Sequence, residues 1–308
     1  MLQYLIILLD DTSVSYCHYE NDRQDRKLIP IETLKQGIRF GMMENLMIQY
    51  VYPNYTLPEE YKEVIESIDH SKIKPIADEA DILIVSEPIV NAVSVPVVWR
   101  LNKSQLFSAE KTISEMLTKT PRLNVVITDI DSFTDEDFEQ YQFLLEKLSI
   151  FIEQLYAEGK SPQLNLLTDR LMLEEMNNCG AGDSCITLAP NGKFYICPAF
   201  YYADEADNVG DLEHGLDIKN SQLYNLTYAP ICRHCDAYQC KRCIWLNRKT
   251  TLEVNTPSHE QCVVAHVERN SSRRLCLDLA KKKFHVSQSL EIKEIDYLDP
   301  FIKINQWN

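Results

Sequence analysis

Positive charge is the first scarcity in this chain. Its 308 residues carry 31 lysines and arginines against 46 aspartates and glutamates, a formal net charge of −15. Affinity for nucleic acid rests on clustered cations that neutralise phosphates, so no nucleic-acid partner is expected. Long apolar runs are missing as well, and without an uninterrupted stretch able to span a bilayer no membrane partner is expected. Glycine is sparse, with eight residues, and no Gly-rich phosphate loop, nucleophile elbow or H-E-x-x-H motif occurs. The remaining composition, 45% hydrophobic and 25% charged, is that of a globular protein. Its length allows one large domain or two ordinary ones.

An export signal is also lacking. The opening MLQYLIILLDD has an apolar run but neither a basic flank nor a small-residue cleavage site, and it meets Asp10 and Asp11 at once. It reads as a buried strand in a cytoplasmic protein. In a reducing compartment the ten cysteines are expected to be metal ligands or packed thiols rather than disulfides.

The first ~165 residues alternate strand-like and helix-like segments, the pattern of a parallel α/β arrangement. Short apolar runs predict strands at residues 3–9, 47–51, 82–85, 97–101, 125–128 and 164–167, of the kind buried on both faces. A helix is predicted after Ser132 or Thr134 as N-cap, with Asp135, Glu136 and Asp137 complementing its dipole. Phe138, Tyr141, Leu144, Leu145, Leu148, Phe151, Ile152 and Leu155 give it an apolar stripe, and Gly159 sits where a C′ glycine belongs. The composition then turns cysteine-rich and turn-rich. The expected domains are 1–176, a βα unit; 177–285, a cysteine-rich unit followed by a helix; and 286–308, an alternating tail that could add a strand.

Eight cysteines fall in the second region: Cys179, Cys185, Cys197, Cys232, Cys235, Cys240, Cys243 and Cys262. Two shells of four thiolates would be complete, and either zinc or a [4Fe–4S] cluster takes such a shell. Pairs of C-x2-C alone point to zinc. The full order is more specific: C-x5-C-x6-G-x4-C, thirty-four residues, C-x2-C-x4-C-x2-C, then Cys262.

This order resembles the SPASM domain, the auxiliary-cluster module of radical SAM enzymes that mature peptides and proteins. Gly192 and Cys197 match its Gly-x4-Cys element, while its usual C-x2-C-x5-C-x3-C is one residue shorter here in each of the last two gaps. The resemblance implies two [4Fe–4S] clusters, one on Cys179, Cys185, Cys197 and Cys243, the other on Cys232, Cys235, Cys240 and Cys262. Radical SAM chemistry further needs C-x3-C-x2-C after the first strand, and that motif is absent. Cys17 is the sole cysteine there, and Cys235-x4-Cys240-x2-Cys243 has the wrong first gap. No SAM-binding cluster is therefore expected. The implied fold is α/β, with a degenerate or partial TIM-barrel-like N-terminal domain and a small SPASM-like metal-cluster domain.

The stretches around Cys262 and at the chain start are similar to the CXXX-repeat peptide maturase family. That similarity implies an accessory subunit of a ribosomal-peptide maturation system, with a radical SAM/SPASM enzyme and a cysteine-repeat precursor peptide as partners in a hetero-oligomer. Two other readings stay open: a stand-alone peptide-modifying enzyme, using the clusters or Asp10 and Asp11, and a zinc-stapled interaction module. Asp10 and Asp11 otherwise read as a solvated loop start, Cys17 and Cys276 as packed thiols, and His234 and His259 as residues beside filled metal shells or on the surface. His266 and Glu268 read as peptide-gripping residues or as helical surface polarity.

Overall fold

The structure, a computed structural model, describes residues 2–284 and residue 292. The expected tail 286–308 lies outside the described residues apart from residue 292. Eight strands bear on the sheet topology: β1 (Tyr4–Leu8), β2 (Met47–Val51), β3 (His70–Lys74), β4 (Ile82–Val85), β5 (Val97–Leu101), β6 (Leu123–Ile127), β7 (Cys185–Leu188) and β8 (Phe194–Tyr195). The chain divides into two compact units, Met1–Val85 with Gly180–Tyr228 and Ser86–Cys179 with Ala229–Asn308.

In the first unit the strand order is β4-β3-β2-β1-β7-β8. β1 pairs in parallel with both β2 and β7, Tyr4 lying opposite Met47 on one side and Cys185 on the other. Among the described residues of this sheet, β8 runs antiparallel, against β7. Leu5, Ile7 and Leu8 have no exposed surface, as befits a central parallel strand covered on both faces. The helix Ile31–Met43 buries Leu34, Gly37, Ile38 and Gly41, one face at helical spacing. A Cβ on Gly37 would stand 2.4 Å from Leu188 Cδ2, and one on Gly41 would stand 2.8 Å from Ile48 Cδ1. Those two glycines let the helix lie close on its sheet.

In the second unit β5 and β6 pair in parallel with Val97 opposite Leu123. The helix Asp135–Ala157 starts in a capping box, Thr134 accepting from the Asp137 N–H and Asp137 accepting from the Thr134 N–H. Its predicted stripe is buried except at Phe151, which is half-buried, and Gly159 takes φ +76° just past the end. The helix His259–Lys281 begins where Ser258 Oγ accepts from Gln261 N at 3.2 Å. The two long helices are tied by Tyr141 Oη donating to Glu268 Oε1 at 2.7 Å and by Arg274 to Glu146 at 2.6 Å.

Residues 164–167, expected as a strand, form a turn joined to β6 by a single bridge at Leu164. The reason is the Asn165 side chain, whose Oδ1 accepts from Val125 N at 2.8 Å and whose Nδ2 donates to Val125 O at 2.9 Å. An amide side chain thus replaces a rung of the ladder, and the main chain turns away.

Candidate metal-cluster site

The second unit contains a cavity of about 360 Å³ whose lining includes Cys232, Cys235, Cys240 and Cys262. Local structure brings three of them from one loop. Cys232 to His234 form a short 3-10 turn closed by Cys235 N donating to Cys232 O at 3.1 Å. Cys240 N donates to Ala237 O at 2.9 Å, which folds the next thiol back toward the first two. Arg242 adopts φ +45°, a left-handed conformation that ends the loop. The fourth thiol, Cys262, comes from the first turns of the helix His259–Lys281.

Asp236, inside the C-x2-C-x4-C run, anchors the loop. Arg269, 1% exposed, donates from Nη2 to Asp236 Oδ2 at 2.6 Å and from Nε to Oδ1 at 3.2 Å. Arg170 donates from Nε to the Asp236 carbonyl at 2.7 Å and stacks its guanidinium 4.2 Å from the Tyr238 ring centre. Gln239 Nε2 donates to Ala265 O at 2.7 Å, fixing the loop to the helix that carries Cys262. Arg242, fully buried, donates from Nε to Asn178 Oδ1 at 3.0 Å.

Burial pushes the Cys232 thiol up to about 11, with the Arg242 guanidinium pulling the other way. Burial likewise pushes Cys240 up to about 12 and raises Cys235, while Arg269 and Arg170 favour the Cys235 thiolate. Two main-chain donors already point at sulfur: Ala237 N to Cys235 Sγ and Arg242 N to Cys240 Sγ, each at 3.4 Å. The donor set is chemically right for a four-thiolate group, because N–H groups and buried guanidiniums stabilise the negative charge such a shell carries. Among the described residues no three Cys, His, Asp or Glu side chains converge closely enough to hold a single metal ion.

Cys243 is absent from the cavity lining. Its sulfur accepts from Leu246 N at 3.5 Å, capping the helix Ile244–Thr251. Cys179 is exposed, its Sγ 4.0 Å from the Arg242 carbonyl. Cys185 and Cys197 belong to the other unit, where Cys185 opens β7 and Cys197 is the N-cap of the helix Pro198–Ala203.

Three expectations need correction. Asp10 and Asp11 are not a solvated loop start, being 0% and 8% exposed. Asp10 accepts from Thr12 N at 2.8 Å and Tyr55 Oη at 2.9 Å; Asp11 accepts from Tyr201 Oη and pairs with Arg23 at 3.3 Å. Glu268 is not surface polarity: its residue is half-buried, but its carboxyl turns inward onto Tyr141 and onto Gln239 Nε2 at 3.4 Å, and burial pushes it up to about 7. His266 lines the cavity rather than the outer helix face. His234 is exposed and also lines the cavity, His259 packs against the Phe138 ring at 6.1 Å, and Cys17 and Cys276 are half-buried. The anchoring set Asp236, Arg170 and Arg269 was not foreseen, since only Asp236 lies within the cysteine run and its partners are 66 and 33 residues away.

No protein family matches the sequence, and no curated protein matches it. Among solved structures, the fold is similar to that of anSMEcpe with bound AdoMet, an anaerobic sulfatase-maturating enzyme of the radical SAM/SPASM type. The likeness has a TM-score of 0.64 at 10% identity and covers 92% of this chain and 96% of that one. Native anSMEcpe with bound AdoMet and Cp18Cys peptide gives a TM-score of 0.63 at 11% identity, over 92% of this chain and 100% of that one. The precursor-bound SuiB of Streptococcus suis gives a TM-score of 0.40 at 11% identity, over 73% of this chain and 64% of that one, below the level at which a shared fold follows. The chain thus has a mixed α/β fold similar to that of anSMEcpe. Among the described residues no helix is long and apolar enough to cross a membrane.

Proposed function

We propose that this protein is a cluster-bearing accessory subunit of a radical SAM peptide-maturation system, without radical chemistry of its own. The observation that carries the reading is a cavity lined by Cys232, Cys235, Cys240 and Cys262 in a chain whose fold resembles a radical SAM/SPASM enzyme, while Cys17 stands alone after β1. On this reading those four thiolates hold one [4Fe–4S] cluster. The second, on Cys179, Cys185, Cys197 and Cys243, rests on the sequence pattern. A cavity of about 360 Å³ suits a multi-atom cluster, whereas a zinc ion draws its sulfurs to about 2.3 Å from one point. Such a cluster, when bound, supplies one-electron redox chemistry and a four-point staple for a loop-rich region.

The partners on this reading are a radical SAM/SPASM enzyme and its cysteine-repeat precursor peptide, in a cytoplasmic hetero-oligomer. The peptide-bound anSMEcpe structure supports a peptide as the class of ligand. The burial of Asp10 and Asp11 in hydrogen bonds favours an accessory over a catalytic role for the end of β1, because both carboxylates already have partners. Co-expression with a neighbouring radical SAM/SPASM enzyme and its precursor is the test. Co-purification with either supports the accessory role, and failure to bind both contradicts it. A mass change in precursor incubated with this protein alone would make it an enzyme instead.

A further inference from the structure

His266 lies one helical turn beyond Cys262 on the helix His259–Lys281, so the two project from one face. Both line the cavity, and His266 Nε2 stands 3.7 Å from Cys235 Sγ. Cys235 also receives the Ala237 N–H, and Cys240 the Arg242 N–H. Those donors are main-chain groups fixed by the course of the loop. His266 is different in kind: it is a side chain, from another element, aimed at the same sulfur.

We propose that His266 donates an Nε2–H hydrogen bond to the Cys235 thiolate and thereby raises the reduction potential of the cluster held by Cys232, Cys235, Cys240 and Cys262. This rests on reading the cavity as a cluster site. Hydrogen bonds to a ligating sulfur draw off electron density and stabilise the more negative, reduced form. His266 is a tuning residue rather than a ligand, since the four thiolates already complete the shell. The same bond orients Cys235 from the helix that carries Cys262, coupling loop and helix at the metal.

The test uses the full chain, purified anaerobically, as wild type, His266→Ala and His266→Gln. Iron and sulfide are quantified, and midpoint potentials are measured by mediated titration followed by electron paramagnetic resonance. The expected result is a lower midpoint for one couple in His266→Ala at wild-type iron and sulfide content, partly restored in His266→Gln, which keeps an N–H donor. Unchanged potentials at full cluster content would overturn the inference while leaving the cluster reading intact. Loss of iron in His266→Ala, with a wild-type melting curve, would make His266 a ligand and also overturn it. Wild-type protein holding zinc without sulfide would remove the cluster reading and this inference together.

Discussion

The carboxyl end of β1 and the cysteine cavity both gather side chains capable of chemistry, yet they are finished in opposite ways. At the end of β1 the reactive groups are already engaged. Asp10 is held by Thr12 and Tyr55, Asp11 by Arg23 and Tyr201, and Arg23 also pairs with Glu205 at 3.0 Å. In the second unit the charged side chains hold the loop, and four thiols line a space. Saturated carboxylates make a structural joint, whereas thiols that line a cavity and are approached by N–H donors have the chemistry a ligand shell needs.

The largest expected effect falls on the cavity. Cys240→Ser should remove one cluster, about half of the bound iron and sulfide, as read by metal and sulfide analysis, while Cys17→Ser should leave both unchanged. Equal losses in the two variants would erase the distinction between the regions.

Next is the anchor of the loop. Arg269→Leu leaves the largely buried Asp236 carboxylate to the longer Arg170 pair at 3.8 Å, and since a buried charge left wholly unpaired costs about 3–5 kcal/mol, the loss should fall at the lower end of that range. Urea unfolding of the loaded protein should show that loss, and a change within the error of wild type would mean that the loop is held elsewhere.

Glu268 gives a pH signature of about 2 kcal/mol. Its folded pKa, raised to about 7, lies above its ordinary carboxylate value. The folded state therefore binds the extra proton between those values, and stability falls as pH rises through that window. Glu268→Gln should flatten the fall between pH 5 and pH 8 and make the variant more stable than wild type at the upper end. Denaturation midpoints that keep the wild-type slope would refute it.

The smallest effect concerns the end of β1. Asp11→Asn keeps the shape but loses the charge opposite Arg23, and should cost about 1–2 kcal/mol with iron content unaltered. A drop in iron on this substitution would tie the joint to the metal chemistry after all.

Much of the parallel core was legible in the sequence. β2, β4 and β5 begin and end where their apolar runs do, because strands buried on both faces leave little room for polar residues. β3 escaped notice since its stretch HSKIK buries only Ile73, and its pairing with β2 through main-chain bonds carries no hydrophobic signal. Residues 164–167 misled in the opposite sense, because Asn165 satisfies Val125 with its side chain. At the site, the cysteine order offered eight candidates, and the resemblance grouped four of them, Cys232, Cys235, Cys240 and Cys262, which are among the residues lining the cavity. It could not name Arg170 or Arg269, nor the inward turn of Glu268 and the burial of Asp11, since Asp236 lies 66 and 33 residues from the two arginines, Tyr141 lies 127 from Glu268 and Tyr201 lies 190 from Asp11.

The central claim is that the cavity of Cys232, Cys235, Cys240 and Cys262 holds an iron–sulfur cluster. Anaerobic purification followed by iron, acid-labile sulfide and zinc analysis tests it most directly, with wild type beside the quadruple Cys→Ala variant of those positions. Iron and sulfide in equal amounts, falling by about four of each per chain in the variant, is the predicted result. Stoichiometric zinc with no sulfide, or iron and sulfide contents unchanged by the four substitutions, would contradict it.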